Sequence, residues 1–164
     1  MRVGIGYDLH RLGAERPLKL GGIEFPGQPG LIGHSDADPV MHAVADAILG
    51  AAALGDIGDH FPDTDPDWKD ADSAYILVEA ARLALANRSL APVNVDVNVI
   101  AERPRLGDKK DAMRACLAEV LSLPVESVSV KARTAEGLGP VGRGEAIEVQ
   151  AVVMMRNATR TSDQ

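Results

Sequence analysis

A chain of 164 residues, 46% of them apolar, is long enough for one domain with a buried core. The formal net charge of −7 comes without any basic run, which argues against a nucleic-acid surface. No apolar stretch approaches the roughly 18 residues of a membrane span. The single cysteine, Cys116, excludes an intrachain disulfide and a Cys-rich zinc module, and its neighbours Met113, Leu117 and Val120 predict a buried thiol. Charge is unevenly placed: residues 1–72 hold 13 acids and 5 bases, and residues 73–164 hold 11 acids and 12 bases. That split fits a polyanionic substrate held through cations, and it equally fits ordinary surface charge.

The chain reads directly into a strand without a signal or transit peptide, which predicts a cytoplasmic protein. Val3, Ile5, Tyr7 and Leu9 alternate with Gly4, Gly6, Asp8 and His10, the period-2 pattern of a strand. Leu18 to Phe25, with Gly21-Gly22 between apolar flanks, predicts a hairpin. Asp38-Pro39 opens a helix as cap and first helical residue, and that helix carries Val40, Met41, Val44, Ile48 and Leu49 to near Gly55. After an Asp/Pro-rich loop, Ser73 can cap a second helix through Leu85. Val93 to Val99 alternates without exception and predicts a strand. A third helix is expected from Asp108 to the stop at Leu123-Pro124. Two strands follow, Ser127 to Arg133 and Glu145 to Met155, around a Gly-rich loop.

The order is β, hairpin, α, α, β, α, β, β. It predicts a two-layer α+β fold, a small mixed sheet with helices on one face, in a single domain over residues 1–157 with a frayed tail over 158–164. The last strand is apolar on both faces from Ala151 to Met155, and aromatics make up only 3% of the chain. Either the strand is central and covered within one chain, or a sheet face buries against another subunit.

All four histidines lie in the first 60 residues. Asp8 and His10, at i and i+2, project from one strand face about 6.5–7 Å apart. His42 sits in the first turn of the helix capped by Asp38. Together they offer two nitrogens and one carboxylate oxygen, a set that suits zinc with a fourth position open. Asp46, one turn on, is a candidate to orient His42. Spacing alone equally allows a solvated Asp/His pair and a helix histidine satisfied by Asp46.

Several segments read together carry a more specific signal. Gly6-Tyr7-Asp8-Leu9-His10, Gly33-His34-Ser35-Asp36-Ala37-Asp38 with His42, and the stretch from Gly55-Asp56-Ile57-Gly58 through Phe61-Pro62-Asp63-Thr64-Asp65 come in a fixed order. Ala101-Glu102-Arg103-Pro104, Lys131-Ala132-Arg133-Thr134 and Gly142-Arg143-Gly144-Glu145 follow. Over residues 1–156 the chain resembles the 2-C-methyl-D-erythritol 2,4-cyclodiphosphate synthase family. The resemblance implies a lyase of the methylerythritol phosphate route to isoprenoid precursors. It implies conversion of 4-diphosphocytidyl-2-C-methyl-D-erythritol 2-phosphate to the cyclic diphosphate and CMP. It further implies a homotrimer whose sheets face the threefold axis, with active sites between subunits.

By the same resemblance, zinc or another divalent transition metal is held by Asp8, His10 and His42. Magnesium or manganese joins the substrate diphosphate at Glu136. His34 and Thr134 are the implied catalytic residues. Asp8, His10, His34, Ser35, Asp56, Ile57, Gly58, Phe61, Pro62, Asp63, Thr64 and Asp65 are implied on the erythritol side. Ala101, Glu102, Arg103, Pro104, Arg105, Leu106 and Gly107 hold cytosine, largely through backbone. Ala132, Arg133, Thr134, Glu136 and Pro140 lie by the nucleotide phosphates. Arg143 pairs with Glu145 or reaches phosphate, and with Tyr7 it matches the mouth of an axial pocket for a prenyl diphosphate. Arg133, Ala135, Gly137 and Pro140 depart from the family's usual Thr-, Lys- and Phe-containing loop, and Arg133 is the candidate to replace a lost positive charge. Two rival readings share the metal triad: a phosphohydrolase that activates water, and a scaffold whose structural metal takes His34 or His60 as a fourth ligand.

Overall fold

Asp38, fully buried, ties two parts of the fold together. Its carboxylate accepts the N–H groups of Val40 and Met41 at 3.0 and 3.3 Å, capping the first helix, and those of Gly21 and Gly22 at 2.9 and 2.7 Å. The hairpin turn is thereby fixed to the helix start. Gly21 and Gly22 both hold positive φ (58° and 77°), as a two-residue turn with primed geometry demands. The computed structural model describes residues 1–158 apart from 63, 66, 67, 69 and 70.

The strands are β1 (Arg2–Leu20), β2 (Ile23–Leu31), β3 (Leu90–Ile100), β4 (Val128–Arg133) and β5 (Ala146–Asn157). The helices are α1 (Pro39–Ala52), α2 (Ile57–His60), α3 (Ser73–Arg88), α4 (Lys110–Val120) and α5 (Gly139–Gly142). One mixed sheet runs β2-β1-β5-β3-β4, antiparallel except for β3–β4. That parallel pair needs a crossover, which α4 supplies. The expected α+β fold with helices on one sheet face is present.

Some boundaries differ from the sequence reading. The first strand and the first arm of the hairpin are one 19-residue strand. Residues 2–11 of β1 pair with β5, and from Leu12 onward it pairs with β2, the register shifting at three places between Leu12 and Leu18. Such irregularity lets one strand bend between two partners. The cap of α3 is Asp72, whose side chain accepts the Ala74 N–H, and Ser73 is the first helical residue. The expected third helix begins at Lys110, after a 3-10 turn over Gly107–Lys109. Within the Gly-rich loop before the last strand lies the short α5.

Helix α1 lies on β1 because the strand's inward row opens with Gly4 and Gly6. A Cβ at Gly4 would meet the Ala47 carbonyl oxygen at 1.8 Å, and one at Gly6 the Ala43 carbonyl oxygen at 1.8 Å. Only glycine admits such an approach. On β5, Ile147, Val149, Ala151, Val153 and Met155 are buried on the helix side. The outer row of β1 remains open, with Val3 63%, Ile5 75%, Tyr7 52% and Leu9 44% exposed, beside Val152 at 42%. Covering of this face within one chain, one of the two expectations for the doubly apolar strand, is therefore not what the described residues do. No helix among the described residues is long and apolar enough to cross a membrane.

Candidate functional site

The glycine row of β1 continues as Asp8 and His10, on the same side and level with the first turn of α1. His42 projects from that turn. Asp8 Oδ2 lies 3.0 Å from His10 Nε2 and 3.0 Å from His42 Nδ1. The three ligand atoms lie within 4.8 Å of one another, the only such group among the described residues. His34 and His60 stand apart from it, and the His60 Nε2–H donates to the Leu54 carbonyl at 2.8 Å. The donor set of one carboxylate and two imidazoles fits a divalent transition metal with an open position.

Each ligand is oriented by a further contact. The Leu9 N–H holds Asp8 Oδ1 at 2.8 Å, leaving Oδ2 for the histidines. The Nδ1–H of His10 donates to the Ile32 carbonyl at 2.7 Å, which presents Nε2 inward. On His42, Nε2 faces Ser73 Oγ at 2.8 Å and Ser35 Oγ at 3.1 Å. Asp46 does not take the orienting role expected of it. Its Oδ1 accepts the Ile57 N–H at 2.8 Å and anchors the start of α2.

Burial pushes the Asp8 carboxyl up, but hydrogen bonds from His10 and His42 outweigh it and hold the group at about 2. Burial pulls His10 down, and Asp8 with the Ile32 carbonyl raises it above the ordinary imidazole value. Burial pushes the Asp46 carboxyl up, and the Ile57 N–H offsets this only in part. Burial also raises Asp36, yet the Lys19 ammonium and the Ser73 hydroxyl hold it below the usual carboxylate range.

Asp8, His10 and His42 open into a cavity of about 460 Å³ that is also walled by His34, Ser35, Ile57, Gly58 and Phe61. Gly33, which opens the motif with His34 and Ser35, completes it together with Trp68 and Ile76, two residues that sequence reasoning did not single out. Trp68 stacks on Tyr75 at 6.1 Å and meets Phe61 edge-on at 5.0 Å. Asp56 caps α2 by accepting the Asp59 N–H at 3.1 Å. The His34 ring reaches the Asp65 carbonyl at 3.4 Å. Pro62 and Thr64 are not part of the wall, and Asp63 lies outside the described residues. Arg16 clamps the 33–35 turn, donating to the carbonyls of Ser35 and, at 2.9 Å, Gly33.

A second cavity, of about 740 Å³, is walled by Ala101 through Leu106 and by Ala132, Arg133 and Thr134. Glu102 Oε1 accepts the N–H groups of Ala135 and Gly137 at 3.1 and 3.3 Å, fixing the turn after β4. The Thr134 hydroxyl donates to Glu136 Oε1 at 2.7 Å. Gly107 and Pro140 lie outside this wall, and Arg143 borders a third cavity with Glu102 to Pro104. The Arg143 guanidinium pairs with both Glu145 carboxylate oxygens, at 2.7 and 3.2 Å. The first two cavities share no residue. One chain therefore brings together the metal triad with His34, and separately the 101–106 segment with Thr134, but does not bring these halves onto one another.

The YgbB family model matches residues 1–156. The chain belongs to the YgbB family. A relative from Salinibacter ruber, named 2-C-methyl-D-erythritol 2,4-cyclodiphosphate synthase, is 54% identical over 158 residues, covering 96% of this chain and all of that one. A solved structure of a 2C-methyl-D-erythritol-2,4-cyclodiphosphate synthase with CDP bound superimposes with TM-score 0.86 at 39% identity, covering 94% of this chain and 100% of the other. The bifunctional IspDF of Campylobacter jejuni matches with TM-score 0.91 at 40% identity, over 97% of this chain and 43% of that longer one.

Proposed function

We propose that this chain is the cyclase converting 4-diphosphocytidyl-2-C-methyl-D-erythritol 2-phosphate to 2-C-methyl-D-erythritol 2,4-cyclodiphosphate with release of CMP. The observation that carries the reading is the convergence of Asp8, His10 and His42 at one point of an open cavity, in a chain matched over 96% of its length by a cyclodiphosphate synthase. The reaction is an intramolecular phosphoryl transfer: the 2-phosphate oxygen attacks the β-phosphorus while CMP leaves from the opposite side. A phosphate dianion is already nucleophilic, so the residues chiefly bend the substrate and neutralise its charge.

Zinc, or another divalent transition metal, bound by Asp8, His10 and His42 supplies Lewis-acid polarisation of the β-phosphate. Glu136 would hold magnesium or manganese, a hard cation that keeps waters and phosphate oxygens and needs few protein ligands. His34 and the walls at Ile57, Gly58 and Phe61 position the erythritol portion. The Ser35 side chain is buried and turned toward His42, so any contact it makes with substrate runs through its backbone. The 101–106 segment receives cytosine, and Arg133 and Thr134 meet the nucleotide phosphates.

The two separated cavities support a homotrimer in which the metal half of one subunit faces the nucleotide half of the next. The open row of Val3, Ile5 and Val152 would then bury around the threefold axis. Tyr7 and Arg143 mark that axis for a prenyl diphosphate, which would show as a rise in melting temperature on adding one. A cytoplasmic location completes the reading. Phosphorus NMR with substrate and Mg²⁺, before and after stripping and restoring zinc, tests it. A cyclic diphosphate signal with equimolar CMP, lost on stripping and regained with zinc, is the expected result. Release of inorganic phosphate would replace the cyclase by a hydrolase, and no turnover by metal-replete protein would replace it by a scaffold.

A further inference from the structure

We infer that Ser73, Asp36 and Lys19 form a positioning relay that fixes which nitrogen of His42 carries a proton, and so aims the other at the metal. The inference rests on the metal reading of Asp8, His10 and His42. Its parts come from four elements: Lys19 from β1, Asp36 from the turn before α1, Ser73 from the first turn of α3, and His42 from α1.

Proton counting decides the direction. Lys19 Nζ donates to Asp36 Oδ2 at 2.8 Å, so that oxygen faces a cation and the carboxylate is an acceptor only. The Ser73 hydroxyl donates its single proton to Asp36 Oδ1, in a short hydrogen bond. Toward His42, 2.8 Å away, Ser73 Oγ can therefore present only a lone pair. Two lone pairs facing each other at that distance in a buried site would be an unmade hydrogen bond with repulsion added. Nε2 of His42 must therefore carry a proton whether or not Nδ1 also donates to Asp8 Oδ2 at 3.0 Å, and when a metal takes the place of that contact Nδ1 is the nitrogen left to bind it.

Ser35 is compatible with this polarity. Its Oγ, 3.1 Å from His42 Nε2, accepts the Ala37 N–H at 3.1 Å and can direct its own proton to Ser73 Oγ at 3.3 Å. The relay is sheltered, since Ser73 is 0% exposed and Ser35 and His42 are 6% exposed. It does the work that the Ile32 carbonyl does for His10.

Ser73→Ala is the decisive variant, because the Ser73 backbone N–H keeps its own 3.2 Å bond to Asp36 Oδ1 and alanine is a good helix former. Two readouts are used. The first is the nitrogen-15 NMR signal of His42 in metal-free and zinc-bound protein at pH 8. The second is zinc affinity by chelator competition, compared with Asp36→Asn. Wild type is expected to show a slowly exchanging Nε2–H on His42, which Ser73→Ala loses, with zinc binding weakened about 10–100-fold. Asp36→Asn should shift the same resonance while His10 keeps its own. A proton on Nδ1 in wild-type zinc-bound protein would overturn the relay. So would an unchanged His42 signal and unchanged zinc affinity in Ser73→Ala. If wild type bound no zinc, the metal reading would fall, and the His42 resonance in metal-free wild type and Ser73→Ala would still decide the relay.

Discussion

Replacing Gly6 by alanine puts a methyl group where the Ala43 carbonyl oxygen now lies, 1.8 Å from the new Cβ. Contact is tolerable only from about 3.4 Å, so α1 must retreat by about 1.6 Å along a buried seam or β1 must bow outward. The obstructing atom is helix backbone, which no rotamer change can move. Overpacking of this kind costs about 1–3 kcal/mol, and the backbone clash places Gly6→Ala at the upper end, near 3 kcal/mol. For a chain of this size that lowers Tm by about 6–12 °C. The same retreat carries His42 away from Asp8 and His10, far beyond the roughly 0.2 Å tolerance of metal–ligand distances, so zinc affinity should fall with stability. Gly107→Ala serves as the control, because a Cβ there meets nothing within 4 Å. Thermal unfolding and chelator competition on both variants test the reasoning. A Gly6→Ala protein melting within about 2 °C of wild type with unaltered zinc affinity would refute the account of how β1 and α1 place the triad.

Other outcomes follow from the same geometry. In metal-free protein, Asp8, depressed to about 2, contributes stability above its unfolded value that is lost as pH falls through the folded one. His10, raised, contributes stability that is full below its unfolded value and lost as pH rises through the folded one. Melting temperature without metal should therefore peak between about pH 4 and pH 6 and decline on both sides, whereas zinc affinity should rise with pH as His10 gives up its proton. Glu102→Ala should raise KM for the cytidine substrate by freeing the 134–137 turn. Glu102→Gln, which keeps a carbonyl oxygen for the Ala135 and Gly137 N–H groups, should restore most of the loss. Arg133→Ala should raise KM about tenfold with a smaller change in kcat, as expected for a cation that holds ground state and transition state alike.

Where neighbouring residues act together, the sequence was readable. Asp8 and His10 share a strand face at i and i+2, and Asp38-Pro39 announced the helix that brings His42 to them. The alternation of β1 was visible too, but not that its apolar row points away from the helices. Gly4 and Gly6 stood only as the positions alternating with that apolar row, and the depth of α1 is what explains them. Ser73 read as a helix cap because a Ser before an apolar run favours that role. Its partner His42 is 31 positions away, with nothing in local spacing to connect them. Trp68 fell in an Asp/Pro-rich stretch without periodicity, so its place in the cavity wall had no signal beyond its being the sole tryptophan. The separation of the two cavities depends on long-range topology, and only the family resemblance, with its sites between subunits, pointed to it.

That separation changes what inactivating a subunit means. In the proposed trimer each reaction chamber is assembled from two different polypeptides, so damage belongs to a seam rather than to a chain. Chains disabled at His42 and chains disabled at Glu136, each inert alone, would on random mixing rebuild about one intact chamber in four. Two dead alleles could then sustain what neither sustains alone.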